Sequence, residues 1–250
     1  MDIIINRRVN QEPFNEEELL KKNPFGARLV PEEIWKGSKF ERSFVTVQGQ
    51  IGFERIAIIL AKQFHIDAQQ NYSTEGEYSQ GEDNEIHRII DNLDHPQKGQ
   101  KRNPDWKSEI EKINNAKNDE IISRQVVSDI WIKMEDKELF IELKAPKPNK
   151  DQCKVSKEKL FKIHCIKTRE NEPHEVYFAL PYNPFGLVKE SYNWRFAFNY
   201  FDMLNSNVVL IGKEFWDYIG NEGVFEELLD LFEEVGEEIK TKIKNEYLSN

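Results

Sequence analysis

Long hydrophobic runs are missing from this 250-residue chain. No stretch approaches the roughly 18 consecutive apolar residues that a membrane-spanning helix needs. The first residues, MDIIINRRVNQEPFNEE, lack a cationic head followed by an apolar run and lack a small-residue cleavage site. The expectation is therefore neither secretion nor a membrane span. Cysteine is scarce too. Cys153 and Cys165 form no CxxC pair and no disulfide framework, which fits a reducing compartment, the cytoplasm. The five histidines show no HxH or HExxH spacing, so zinc is not indicated. A Gly-rich phosphate loop, a GxSxG elbow and a kinase motif set are all missing. So are internal repeats, low-complexity runs and any Pro/Gly/Ser linker, and a single domain spanning 1–250 is expected. A chain of this length buries a sizeable core without disulfides or a structural metal.

What is present is charge. Acids outnumber bases by 45 to 35, for a net charge of −10, which at face value disfavours a polyanionic partner. The charge is segregated, however. Lys144–Arg169 holds nine Lys/Arg against Asp151 and Glu158, or +7, whereas from Lys213 onward eleven acids face four lysines, or −7. Salt screens charges beyond about 10 Å, so a polyanion responds to a local patch rather than to the total. On that reading affinity for a polyanion falls steeply with salt despite the acidic composition, with a slope set by a few contacts. A solvated lysine-rich helix is the alternative.

Along the chain, Asn15 ahead of Glu16-Glu17-Glu18 predicts a short capped helix. Pro31-Glu32-Glu33 predicts another, with Pro at its first turn. Apolar residues at three- and four-residue steps from Phe40 to Phe64 predict one helix over about 39–64, with Gly49 and Gly52 at its middle. The polar, Gly-containing segment 71–84 predicts a loop. Ile86, Ile89, Ile90 and Leu93 predict a short helix, and Asn103-Pro104 opens the next. From about 120 the texture changes. Ile121-Ile122 and Val126 to Ile132 predict a strand, Glu135-Asp136-Lys137 a tight turn, and Leu139 to Lys144 a second strand, together forming a hairpin. A helix over 152–167, a strand over 175–180, a helix over about 190–204, a strand over 208–211 and an acidic helix from about 222 follow. The expected architecture is α/β: a central mixed sheet flanked by helices in a catalytic core over 120–212, a mainly helical N-terminal part over 1–115, and a C-terminal acidic helix within 213–250.

The hairpin carries the chemistry. Asp129 lies in its first strand, and Glu142-Leu143-Lys144 closes the second. Strand residues two apart share a face, so Glu142 and Lys144 are neighbours. Counted back from a turn near 136, Asp129 falls opposite about residue 143, one position from Glu142. Two carboxylates meeting there suit a hard divalent cation such as Mg²⁺. That cation would polarise a phosphoryl group, and an adjacent lysine would orient or deprotonate water or hold a phosphate oxygen. Charges within VVSDIWI and LFIELKAP are costly unless paired or liganded. A structural salt bridge at a strand end is the plainer alternative.

An acid, a gap of twelve residues and then Glu-Leu-Lys after a hairpin resembles the PD-(D/E)xK nuclease superfamily, with Ser128 in place of its usual proline. ELKAPKPNKDQ and ALPYNPFG with SYNW are similar, more narrowly, to TdeIII/MjaII-type type II restriction endonucleases. The resemblance implies a restriction-endonuclease-like core and a Mg²⁺-dependent deoxyribonuclease, with Mn²⁺ as a substitute. Asp129, Glu142 and the Leu143 carbonyl would hold the metal, and Lys144 would act on the water. It further implies double-stranded DNA as substrate, a short palindromic G·C-rich site of the GGNCC type, a homodimer, a partner DNA methyltransferase for the same site and a prokaryotic cytoplasm. Glu54, in Phe53-Glu54-Arg55, is a candidate third acid, with a surface ion pair as its alternative. Pro104-Asp105 matches the superfamily letters better than Ser128-Asp129, yet Asp105 more simply serves a helix N-terminus. Lys147, Asn149, Lys150 and Gln152 are candidate DNA contacts beyond the catalytic strand. Lys101, Arg102, Arg124, Arg169 and Arg195 are candidate base readers. Lys154, Lys157 and Lys162 are expected on phosphate or in solvent. Tyr182 and Asn183 are expected to line the site or form a turn. The rival readings are a repair or junction-resolving nuclease of the same fold and a non-catalytic DNA-binding module.

Overall fold

The computed structural model describes residues 14–22, 32–47, 52–99 and 101–243, with 6, 11, 12, 28 and 245 beside them. The chain divides into two compact units, residues 1–52 with 226–250 and residues 53–225. In the first unit, helix α1 (Glu16–Lys22) is capped as expected, the Glu18 amide donating to Asn15 Oδ1 at 3.0 Å. Helix α2 runs unbroken over Glu32–Val47. It absorbs both the short helix expected at 31–35 and the first part of the helix expected at 39–64. Pro31, Gly49 and Ile51 lie outside the described residues.

The second unit begins with helix α3 (Phe53–Phe64), followed by strand β1 (Asp67–Ser79) and helix α4 (Gln80–Asp94). The loop expected over 71–84 is therefore mostly strand. β1 is an edge strand with one exposed face, so its sequence is polar, and its glycine is structural. A Cβ at Gly76 would come within 2.3 Å of the Ile166 side chain, the close approach that glycine in a strand marks. Ser79 then caps α4 through a reciprocal bond pair with Glu82. Helix α5 covers Trp106–Asn115, with Asp105 rather than Asn103 at its N-cap. Strands β2 (Ile121–Lys133) and β3 (Glu138–Leu143) form the hairpin. Helix α6 (Lys150–Glu170) leads to strand β4 (His174–Leu180). In place of the helix expected at 190–204 there are only a 3₁₀ turn at Lys189–Ser191 and helix α7, Arg195–Phe198. There Tyr192 Oη donates to Pro146 O at 3.0 Å and Trp194 Nε1 to Pro148 O at 2.7 Å, so tertiary bonds hold the segment in turns. Strand β5 (Val209–Ile211) and helix α8 (Lys213–Ile219) follow in this unit, and the acidic helix α9 (Val224–Ile243) belongs from residue 226 on to the first unit. Among the described residues no helix is long and apolar enough to cross a membrane.

The sheet is mixed, in the order β1-β2-β3-β4-β5. The pairs β1/β2 and β2/β3 are antiparallel, and β3/β4 and β4/β5 are parallel, joined across α6 and the 181–208 segment. All six β3 residues are buried, as a central strand requires. One core gathers Trp131, Phe140, Phe178, Leu180, Leu160 and Phe161. Ile130, Ile132, Leu139 and Ile141, the residues alternating with these on β2 and β3, are also buried.

Alternation breaks at one level of the sheet. Val126 and Trp131 belong to the same core although an odd number of positions separates them. The break coincides with Asn71, whose φ of 53° is left-handed. In the register that pairs Gln70 with Ile130 and Tyr72 with Ser128, Asn71 stands opposite Asp129. A left-handed residue in a strand re-aims the side chains beyond it, and this one sits beside the hairpin acid.

Lys157 of α6 departs from expectation most sharply. It is 1% exposed, with Nζ 2.6 Å from Glu109 Oε2 and donating to Tyr200 O at 2.5 Å. It binds neither phosphate nor solvent. Burial pulls its ammonium below the ordinary value and Glu109 opposes that pull. Removing one partner of such a pair leaves an uncompensated buried charge. Glu109→Ala is expected to lower unfolding stability by about 3–5 kcal/mol, while the double change Glu109→Leu/Lys157→Met costs clearly less. Urea denaturation of the two variants checks this.

Candidate active site

The hairpin closes more tightly than sequence counting suggests. The Met134 amide donates to Lys137 O at 2.9 Å, so Glu135 and Asp136 form its tip. Ile130 pairs with Ile141, and one step further along the same register Asp129 stands directly opposite Glu142, not residue 143. Facing side chains on an antiparallel pair are close neighbours, here two carboxylates. Lys144 follows β3, its amide still donating to Ala179 O of β4 at 3.0 Å. Its ammonium lies between the acids, 2.5 Å from Asp129 Oδ2 and 3.0 Å from Glu142 Oε2.

Glu142 is 0% exposed, and Asp129 and Lys144 are each 17% exposed at the side chain. Burial, then the Asp129 charge, push the Glu142 carboxyl above its ordinary range, against the pull of Lys144 and Lys159. For Lys144, burial favours the neutral amine, but Glu142 and Asp129 outweigh it and hold the group above the usual lysine value. Two further side chains reach Glu142 from α6: Lys159 Nζ donates to Oε1 at 2.7 Å and Ser156 Oγ to Oε2 at 3.2 Å. Sequence reading passed over both. Their one signal is the three-residue spacing that sets them on a common helix face, and nothing in the sequence says what that face meets.

Glu54 projects from the first turn of α3 and accepts a hydrogen bond from Gln70 Nε2 of β1. Its carboxyl is raised, first by burial and also by Asp129 and Glu142, with Gln70 and Lys144 opposing. It is near enough to feel the acid pair, yet among the described residues no three acidic, His or Cys side chains close into one metal-ligating group. Asp105 is an exposed N-cap without a side-chain cap bond, and it takes no part in the pair.

The candidate DNA contacts scatter. Asn149 and Gln152 cap α6 reciprocally, at 2.8 Å each way. Arg102 donates to the Leu93 and Asp94 carbonyls at the end of α4. Arg124 pairs with Asp83 at 2.9 Å. Asn183 closes its own turn, donating to Val188 O at 2.7 Å and Ser191 Oγ at 2.9 Å. Tyr182 is exposed, edge-on to Phe53. Lys150 and Lys154 both pair with Asp94, whose carboxyl they hold, Lys150 foremost, well below the usual range. Lys162 pairs with Glu158 at 2.5 Å and Lys167 with Glu138 at 3.1 Å. Of the nine cations from Lys144 to Arg169, seven are thus ion-paired. The +7 of the sequence is largely cancelled in space by acids from other elements. Lys147, over the Phe185 and Trp194 rings at 5.3 and 5.8 Å, and Lys101, Arg169 and Arg195 are exposed.

A mixed five-stranded sheet with helices packed on it is the α/β arrangement of a restriction-endonuclease-like fold, and two opposed acids and a lysine meet where its hairpin joins its parallel half. Comparison with known proteins narrows the class. The family described as "Type II restriction endonuclease, HinfI" matches residues 1–236. Type II restriction enzymes HgiBI and HgiEI of Herpetosiphon aurantiacus are 34% and 35% identical over 215 residues, covering 85% of this chain and 77% of each relative. Type II restriction enzyme MjaII of Methanocaldococcus jannaschii is 26% identical over 213 residues, covering 79% of this chain and 54% of its own. No solved structure matches. The chain belongs to the HinfI family of type II restriction endonucleases, enzymes of the site-specific deoxyribonuclease class.

The Gln70 bond favours the ionised form of Glu54. In Gln70→Ala the Glu54 carboxyl is therefore expected to titrate at higher pH than in the unaltered protein, read from its ¹³C shift.

Proposed function

We propose that this protein is a Mg²⁺-dependent type II restriction endonuclease of PD-(D/E)xK type. It hydrolyses phosphodiesters of double-stranded DNA at a short palindromic, G·C-rich site, GGNCC by family resemblance, and leaves 5′-phosphates. One observation carries the reading: Asp129 and Glu142 face each other across β2 and β3 and converge on a single cation, the Lys144 ammonium. A donor set of two carboxylate oxygens that already draws one cation suits a hard divalent ion. Asp129, Glu142 and the Leu143 carbonyl would hold Mg²⁺, or Mn²⁺ in its place. When bound, the ion supplies charge to the scissile phosphate and lowers the pKa of water.

The protein's own groups supply the rest. Lys144, placed between the two acids, holds a phosphate oxygen or activates and orients the attacking water. Glu54, bonded by Gln70 and within electrostatic reach of Asp129 and Glu142, is the candidate third acid of the site. Among the candidate contacts, Lys147, Lys101, Arg169 and Arg195 are exposed and would meet the duplex. With seven of the nine cations of the 144–169 segment ion-paired, that segment contributes a shallower salt slope than its sequence count implies. The whole chain, 1–250, acts as one nuclease domain. A palindromic target calls for a two-fold homodimer, and host protection calls for a DNA methyltransferase acting on the same site in the same prokaryotic cytoplasm.

Digestion of a plasmid of known sequence with Mg²⁺, followed by sequencing of the ends, tests this. A discrete fragment set with one recognition sequence is expected, and chelation of the metal abolishes it. Nicking that follows DNA structure instead would mark a repair enzyme. Asp129→Ala is expected to reduce cleavage to background, and Lys144→Ala to slow it by about 10²–10³-fold, both with specific DNA binding retained in a filter-binding assay. Complete plasmid cleavage by Asp129→Ala sinks the assignment.

A further inference from the structure

Glu142 presents a charge problem that Lys144 does not solve alone. The carboxylate is fully buried, where an uncompensated charge is strongly unfavourable. Lys144 carries one positive charge and divides it between two acids. In the proposed reaction it must also turn to substrate. If it were the sole counter-ion, each departure before a metal ion is bound would strand Glu142 in the protein interior.

Lys159 offers a second charge from a different kind of anchor. Glu142 is its ion-pair partner, at 2.7 Å, and Ser156, one turn earlier, holds the other oxygen. Both stand on α6, a 21-residue helix closed at its start by the Asn149/Gln152 capping box and at its end by left-handed Asn171. Its Leu160, Phe161 and Ile163 are fully buried. Lys144, by contrast, stands past the end of β3, two residues before Pro146. The two cations thus differ in anchorage: one is set within a packed helix, the other on the residue that follows a strand.

We propose that Lys159 is a positioning residue, a permanent counter-ion that keeps Glu142 in place and leaves Lys144 able to exchange the acid pair for substrate. The proposal rests on the catalytic reading of Asp129, Glu142 and Lys144. Groups that orient a ligand from behind typically affect activity by about 10–100-fold. Lys159→Met is therefore expected to lower kcat by about that factor with KM for DNA unchanged, and Lys159→Arg to restore most of the rate. A second readout needs neither metal nor turnover. In chelator, the melting-temperature losses of Lys144→Met and Lys159→Met are each modest, and the double variant loses more than their sum, because only then is Glu142 without a counter-ion. Lys159→Gln, which keeps a donor and loses the charge, follows the same pattern and serves if the methionine variant does not fold. A wild-type kcat in Lys159→Met or Lys159→Gln, or strictly additive losses, overturns the proposal. Glu142→Gln and Asp129→Ala run beside them keep the two levels apart. Cleavage by those variants defeats the catalytic reading, whereas their inactivity alongside a fully active Lys159→Met defeats the positioning role alone.

Discussion

A carboxylate on a fully buried strand position sets the terms for everything around it. Glu142 lies in the middle of the sheet, where charge is tolerated only if countered and hydrogen-bonded. The structure brings Lys144 from the same strand end, Lys159 and Ser156 from the helix that crosses the sheet, and the opposing Asp129 from the hairpin partner. The hairpin register, the length and capping of α6 and the route of the chain after β3 all serve that one arrangement. A protein with no use for the site would be better served there by a leucine, since a well-packed apolar group avoids the desolvation cost.

The same accounting changes what the charge pattern means. Read along the chain, Lys144 to Arg169 is a strongly basic run. Folded, Lys150 and Lys154 meet Asp94, Lys157 meets Glu109, Lys159 meets Glu142 and Lys167 meets Glu138. Two of these acids, Asp94 and Glu109, come from helices far away in sequence. A linear count measures composition, while a ligand experiences the field left after the protein has paired its own charges.

Local order at the site also depends on a distant strand. Asn71 stands left-handed opposite Asp129 and marks where side-chain alternation changes. Gln70, next to it, bonds Glu54. β1 therefore contributes the boundary of the site on one side, as α6 does on the other, although neither carries the proposed metal ligands.

Sequence alone determined the hairpin, its three charged residues and the α/β order after residue 120. Those signals are local: β-branched runs, a tight turn and acids interrupting an apolar strand need no knowledge of the rest of the chain. It also carried the family, through ELKAPKPNKDQ and YNPFG. Tertiary structure alone decided the remainder. β1 was hidden because an edge strand with one wet face is polar in composition. The helix expected near 190–204 gave way to turns because Tyr192 and Trp194 bond the Pro146–Pro148 loop. Lys157 went to the core, Asn149 and Arg102 to helix ends, and Lys159 to Glu142. The reason is common to all of them: a long polar side chain goes to whichever partner packing places within its reach, and that partner is not written beside it in the sequence.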